Sequence, residues 1–416
     1  MLGVLRNRNF VLIWLDQFVA SLGDYFYWLA MPLSILQLTG STVAMGSAMI
    51  ALALPGLLLG PIAGTLVDRW DRRLVMMAAN AGRGLAVLLC LFVRSPDQIW
   101  IFYVVGILQS TCSQFYFPAR NAAVPLVVKE DELTAANGLL QVTMTFSLVL
   151  GAGLAGVTIQ FFGVGFAFIA NSVGFAIATA LLAFVRVPRT THASDHAIAH
   201  PYRALAAEMR EGLAYLLGNR TLVGVVACNV VAMTGIGALN VVWVPFMQRT
   251  YGVGPAGLGL VDGAQGIGMG VGSVAVGFLA QRFRKVTLIG AGLLWVGAMI
   301  AGIGFAPTFQ VVVAFAFLLG LAIPALSAGL MTIMQFVVPD LKRGRIGGIM
   351  NSLTTVGQVL AMALAGVAGQ SVDLRLIYAA SGAFVALAGL VSFVAIEEPQ
   401  GMVVEGEVRE ASEAAV

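Results

Sequence analysis

Twelve apolar segments, each close to twenty residues or longer, occupy the chain between residues 10 and 396. They fall near 10–38, 43–67, 74–94, 98–117, 133–159 and 163–185, and again near 221–248, 254–280, 286–305, 308–337, 344–371 and 374–396. A helix of about 20 mostly apolar residues crosses a bilayer. The fold class this predicts is an all-α membrane protein of twelve transmembrane helices. Only 10% of the 416 residues are charged, against roughly 25% in a soluble domain, so no water-soluble fold can cover this much apolar surface. The net charge of +3 is scattered over short loops rather than gathered in a basic patch, which excludes nucleic acid as a partner and leaves the lipid bilayer as the solvent.

The segments divide the chain into residues 1–186 as a first six-helix bundle, 187–219 as a cytoplasmic linker, 220–396 as a second six-helix bundle, and 397–416 as an acidic, disordered cytoplasmic tail. The first segment carries Asp16 and Asp24 and is too long for a cleavable signal, so it reads as a retained membrane helix. Basic residues set the orientation. With both termini inside, 19 of the 23 Lys and Arg lie on inner segments, three lie on outer loops, and Arg83 lies within the third span. The linker holds an amphipathic piece, 202–217, with Glu208, Arg210 and Glu211 on its wet side. It also holds His192, His196 and His200 beside Asp195, read as solvated rather than as metal ligands. Cys90, Cys112 and Cys228 sit singly in apolar runs and imply neither a disulfide framework nor a zinc site. No P-loop, nucleophile–base pair or paired-carboxylate cluster is visible. The expectation is a protein that is not an enzyme and uses no cofactor.

The two halves repeat. Gly64-Thr65-Leu66-Val67-Asp68-Arg69-Trp70 after the second span aligns with Gly277-Phe278-Leu279-Ala280-Gln281-Arg282-Phe283 after the eighth, an offset of 213. Pro125 and Asn137 align with Pro339 and Asn351 at 214. Parallel six-helix repeats place a binding site between the halves near the bilayer midplane, so the duplication itself favours transport.

The first copy reads Gly64-Thr65-Leu66-Val67-Asp68-Arg69-Trp70-Asp71-Arg72-Arg73. It resembles the loop 2–3 motif of the major facilitator superfamily, G-x-L-x-D-[RK]-x-G-R-[RK], with Asp71 in place of the inner glycine. Arg8-Asn9-Phe10 and Phe117-Pro118-Ala119-Arg120-Asn121 resemble a bacterial exporter branch that includes macrolide-efflux and siderophore-export proteins. The resemblance covers nearly the whole chain. It implies a gating role for Gly64, Asp68, Arg69, Arg72 and Arg73, with Asp68 latching the inner gate while the path is open outward. Gln281 in the second copy carries no charge for such a latch.

Four charged residues read as intramembrane: Asp16, Asp24, Arg83 and Asp262. A charge within the bilayer needs a partner, a wet cavity or a function. At about 1.5 Å per residue, Arg83 is closer in depth to Asp16 than to Asp24. A static Asp16–Arg83 pair is therefore one expectation, and it leaves Asp24 as a proton carrier or cation-sensing group. Gln17, Ser21, Asp24 and Trp28 form one helical stripe, and Asp262 with Gln265 is a candidate counterpart nearer the outer end. The family lines its cavity with spans 1, 4, 7 and 10, which points here to Gln17, Trp28, Gln109, Ser113, Tyr116, Asn229, Asn240 and Trp243. Gly151-Ala152-Gly153-Leu154-Ala155-Gly156 matches a dinucleotide fingerprint, but it sits inside a membrane span, where small residues serve helix packing. It also resembles the family's antiporter motif, with Ala152 where that motif has proline.

These readings predict a monomeric, proton-coupled secondary transporter of a prokaryotic plasma membrane. Its substrate would be a small amphiphilic molecule, drug-like or siderophore-like, exported by alternating access. An importer or a lipid or metabolite transporter of the same fold stays open, as does a non-transporting receptor or scaffold.

Overall fold

The longest apolar stretch, Leu133–Ala183, contains no polar loop, and one glycine divides it. Gly163 adopts φ 81° and ψ 170°, a backbone region open essentially to glycine alone, and this separates α5 (133–162) from α6 (164–183). With that break, the computed structural model contains the twelve helices expected. The others are α1 (Arg8–Thr39), α2 (Thr42–Val67), α3 (Arg72–Leu88), α4 (Trp100–Val127), α7 (Arg220–Tyr251), α8 (Pro255–Arg282), α9 (Lys285–Phe305), α10 (Phe309–Val337), α11 (Asp340–Ser371) and α12 (Leu374–Ala395). The structure describes residues 3–188 and 210–396. The histidine triplet and the acidic tail lie outside them. Among the described residues, nine helical stretches are long and apolar enough to cross a membrane, the joined α5–α6 stretch counting once.

The repeat extends into the caps. Asn7 opens α1 by accepting from the Asn9 and Phe10 amides, and Asn219, 212 positions later, opens α7 by accepting from the Leu222 amide. Both helices have 32 residues and end on a left-handed glycine, Gly40 or Gly252. Each also contains a proline near its outer end, Pro32 or Pro245. Side-chain oxygen caps satisfy amides that the first helical turn leaves free, so the same chemistry starts each half.

Within the first half α1 packs on the α5–α6 stretch and α3 on α4; within the second, α7 packs on α11 and α12, and α9 on α10 and α12. Large apolar side chains such as Leu85, Phe161, Phe278 and Leu364 point outward, as lipid-facing residues do. α4 runs ten residues beyond the span expected from hydropathy, through Pro118 and Pro125 to Val127. The helical residues 210–217 dock under the second half. There Leu216 joins Leu222, Ile346 and Ile349 in one cluster, and Glu211 pairs with Arg345 at 2.9 Å and Lys342 at 3.5 Å.

The halves meet along α2–α11 and α5–α8. Among the described residues, the hydrogen bonds joining them lie at the outer helix ends. Thr42 Oγ1 donates to the Gly366 carbonyl at 2.7 Å, Arg249 to the Gly40 carbonyl at 2.8 Å, and Gln370 to Ser41 Oγ at 3.1 Å. Gln160 Oε1 accepts from the Ala256 amide at 3.5 Å. These bonds tie the halves together at the helix ends farthest from Asn7 and Asn219.

Candidate functional site

Four helices of the first half enclose a chain of buried polar groups. Asp16 of α1 accepts from Asn80 of α3 at 2.7 Å and from the Tyr116 hydroxyl of α4 at 2.6 Å. At the next residue, Gln17 accepts from Arg120 at 2.7 Å and donates to the Leu140 carbonyl of α5 at 3.2 Å. Asp16, Gln17 and Asn80 are at most 2% exposed. In an apolar interior such groups must be fully partnered or they destabilise the fold.

The expected Asp16–Arg83 pair does not form. Arg83 instead grips Asp24, with one guanidinium nitrogen 2.5 and 2.7 Å from its two oxygens. Arg83 also donates to Gln109 Oε1 at 3.1 Å and lies over the Phe175 ring at 4.2 Å. The reason is register. α3 packs on α4 and the α5–α6 stretch, and with Asn80 opposite Asp16 Arg83 stands level with residue 19. Asp24 is then about 7.5 Å further along the helix, within reach of an extended guanidinium, while Asp16 is already occupied. Counting depth from the helix starts missed this because it ignored Asn80.

Two cavities adjoin α1. One, of about 440 Å³, lies between the halves and is lined by Tyr25 and Trp28 of α1, Asn229, Asn240 and Trp243 of α7, Asp262 and Gln265 of α8, and aliphatic residues of α9, α10 and α12. The other, of about 320 Å³, belongs to the first half and is lined by Asp24, Tyr27, Trp28, Arg83, Gln109 and Ser113. Trp28, Gln109, Ser113, Asn229, Asn240 and Trp243 thus face cavities, as the sequence suggested. Gln17 and Tyr116 do not. Both are committed to the buried network, Tyr116 at 2% exposure: Gln17 turns toward Arg120 of α4 and Leu140 of α5, and Tyr116 toward Asp16 of α1.

Among the described residues, Asp262 is the sole formal charge on the wall of the cavity between the halves. Sequence reasoning passed over Asn80 and placed Arg120 among the inner-loop charges. Arg120 is 9% exposed within α4, and its recoverable signal was the helical continuation through Pro118.

In the loop motif, Asp71 caps α3 by accepting from the Arg73 and Leu74 amides at 3.0 and 3.2 Å, which accounts for an acidic residue where the family pattern has glycine. Arg73 donates to the Leu182 carbonyl at 3.0 Å and to the Ala183 carbonyl at the end of α6. Asp68 is exposed at the end of α2. The glycine run in α5 packs helices: a Cβ at Gly151 would meet the Tyr25 ring at 2.6 Å, and one at Gly156 the Pro255 carbonyl of α8 at 2.6 Å.

The model of the Major Facilitator Superfamily matches this sequence twice, over residues 13–227 and 225–413. The chain belongs to the Major Facilitator Superfamily. It is therefore a multi-pass membrane transporter, and the two matches meet within the first turns of α7. The chain is 27% identical to the uncharacterized MFS-type transporter YfiS of Bacillus subtilis, covering 94% of each. It is 24% identical to macrolide efflux protein A of Streptococcus pyogenes, over 85% of this chain and 88% of that protein. It is 25% identical to the enterobactin exporter EntS of Citrobacter koseri, over 85% and 83%. Among solved structures, the nucleoside transporter NupG superposes with a TM-score of 0.76 at 11% identity, covering 93% of this chain and 100% of that one. A bacterial homologue of the iron transporter ferroportin, in its inward-facing state, superposes with a TM-score of 0.74 at 17% identity, over 94% and 98%.

Proposed function

We propose that this superfamily member is a proton-coupled exporter of amphiphilic, drug-like or siderophore-like molecules, working by alternating access as a monomer in a prokaryotic plasma membrane with both termini in the cytoplasm. The observation that carries the reading is the cavity between the halves. It is walled by tryptophans, tyrosines and aliphatic side chains with a few amides, lined by both halves of one chain, and capped at its outer end by the Thr42–Gly366 and Arg249–Gly40 bonds. Such a wall suits a molecule with a large apolar body and few polar groups. The similarity to a macrolide efflux protein and an enterobactin exporter agrees with outward transport of molecules of this kind. In the present conformation the cavity would load from the inside. Rocking of the halves would then bring Asp68 to its latch while the outer bonds part. Two carboxylates face the cavities and are placed to carry the proton, Asp24 and Asp262.

The test is expression in an efflux-deficient bacterium, with growth scored against a panel of antibiotics, dyes and detergents. Raised resistance to a subset of lipophilic compounds, abolished by an uncoupler in a dye-efflux assay, is the expected result. No shift for any compound at verified membrane expression would refute export of amphiphiles.

A further inference from the structure

The cavity between the halves does not end at their seam. It runs on into the second half, where Leu293, Val296 and Ile300 of α9 and Val385 of α12 line its floor. It also narrows on the way: Trp28, on the first-half side, is 38% exposed, while none of those four aliphatic residues exceeds 7%. The repeat accounts for this slot. Buried positions 80, 83 and 87 of α3 recur at 293, 296 and 300 of α9, and 168, 175 and 178 of α6 recur at 378, 385 and 388 of α12. In this register Val296 stands for Arg83 and Val385 for Phe175. The first half fills the place with the Arg83 guanidinium, lying over the Phe175 ring at 4.2 Å. The second half sets two valines there, and the room that a guanidinium and a phenyl ring would take becomes the slot. Water finds no hydrogen-bond partner between such walls. Aliphatic side chains that face a gap forgo dispersion contacts, so the slot favours an apolar filling.

We infer that the slot takes an unbranched aliphatic chain, so that the molecules carried are single-chain amphiphiles, with the chain between α9, α10 and α12 and the polar end toward Trp28. The inference rests on the exporter reading and names its substrate class. A linear chain buries itself methylene by methylene in a tapering apolar slot and gains with each one. A rigid ring system stops where the walls close. Trp28 also lines the first half's polar cavity, together with Arg83, Gln109 and Ser113, so a polar end held at Trp28 meets hydrogen-bonding groups. Val296 and Val385 are then specificity-determining residues: their small size, where the first half has Arg83 and Phe175, sets how far a chain can enter.

The test uses the full-length purified protein in lipid nanodiscs and two esters of one fluorescent acid, a diethylaminocoumarin carboxylic acid. The n-decyl ester carries a linear chain, and the adamantyl ester a cage of the same carbon number. Binding is read by energy transfer from tryptophan, with protein-free discs as the blank. Val385→Phe puts the first half's ring into the slot. It should weaken binding of the n-decyl ester by about tenfold, as for two methylenes kept out of an apolar site, and leave binding of the adamantyl ester unchanged. A photoactivatable diazirine at the end of the decyl chain should label slot-facing residues of α9 or α12 in the wild type, and excess unlabelled ester should suppress that labelling. Equal binding of the n-decyl ester by the wild type and Val385→Phe, or chain-end labelling confined to other helices, overturns the inference and leaves the exporter reading intact. Failure of the wild type to bind either ester overturns both readings. Should Val385→Phe bind neither ester because it misfolds, the labelling of the wild type decides alone.

Discussion

Substituting Gly259 by alanine should loosen the outer closure without weakening the protein. A Cβ at Gly259 would stand 2.3 Å from the Ala152 carbonyl oxygen and 3.2 Å from the Gly156 Cα, both on α5 in the opposite half. Relief needs a separation of roughly 1 Å, and overpacking of this kind costs about 1–3 kcal/mol. Because the contact joins the halves, that cost falls on the arrangement seen here and not on either bundle. A bias of that size shifts a two-state equilibrium by roughly 5–150-fold. Within α8 itself alanine is favoured over glycine by about 1 kcal/mol, so thermal stability should hold or rise. The assay is a cysteine pair at the other seam, T42C with G369C, where the Cβ of position 369 would lie 3.2 Å from the Cβ of Thr42, close to the roughly 3.5–4.5 Å of a disulfide. Oxidation should cross-link this pair rapidly in the parent and several-fold more slowly with Gly259→Ala. Gly270→Ala on the same helix is the control, since a Cβ there meets nothing within 4 Å. Equal cross-linking rates in Gly259→Ala and Gly270→Ala would refute the reasoning.

Arg83→Gln should destabilise the protein by about 1–2 kcal/mol, less than loss of a fully buried pair because the Asp24 side chain is 41% exposed to its cavity. Adding Asp24→Asn should recover most of that loss in thermal unfolding, and a double variant as unstable as the sum of the singles would deny the pairing. Tyr116→Phe removes the 2.6 Å bond to Asp16 and should cost about 1.5–3 kcal/mol; an unchanged melting temperature would mean the hydroxyl holds nothing. Gly163→Ala forces a side chain into the conformation at φ 81° and should cost about 1–3 kcal/mol, measured the same way. A neutral result there would mean that α5 and α6 can join differently.

The helix count, the two halves and the loop motif were legible because hydropathy and repeated spacing are properties of one chain read in order. Pairing between helices is not. Asp16, Asp24 and Arg83 were found as intramembrane charges, but their partners depend on how α3 lies against α1, which its packing on α4 and the α5–α6 stretch sets and the 2.7 Å Asn80–Asp16 bond marks. Asn80 is an unremarkable amide in the sequence, three residues before Arg83. Likewise the stripe through Gln17 and Asp24 is real, yet Gln17 sits under α5 while Asp24 reaches a cavity, because α1 is wrapped by different neighbours along its length. Asp71 broke the family pattern, and only the Arg73 and Leu74 amides explain what an acidic residue does there.

Superposing the repeats in register shows how one duplicated scaffold acquired two kinds of interior. At the 212-residue offset of the α1 and α7 caps, Asp16 corresponds to Cys228 and Asp24 to Ile236. At the 213-residue offset of the α3 and α9 starts, Arg72 and Lys285, Arg83 corresponds to Val296. Cys228, Ile236 and Val296 all line the cavity between the halves. Positions that the first half fills with a hydrogen-bonded charge network are, in the second, the apolar wall against which a substrate would lie. Asp16, Asn80, Tyr116, Gln17 and Arg120 tie α1, α3, α4 and α5 together in the first half. The second half keeps one charge on the wall, Asp262, with no equivalent of Arg83 to neutralise it. That asymmetry sets an ion pair within the first half, Arg83 with Asp24, against a carboxylate without such a pair on the cavity wall of the second, Asp262.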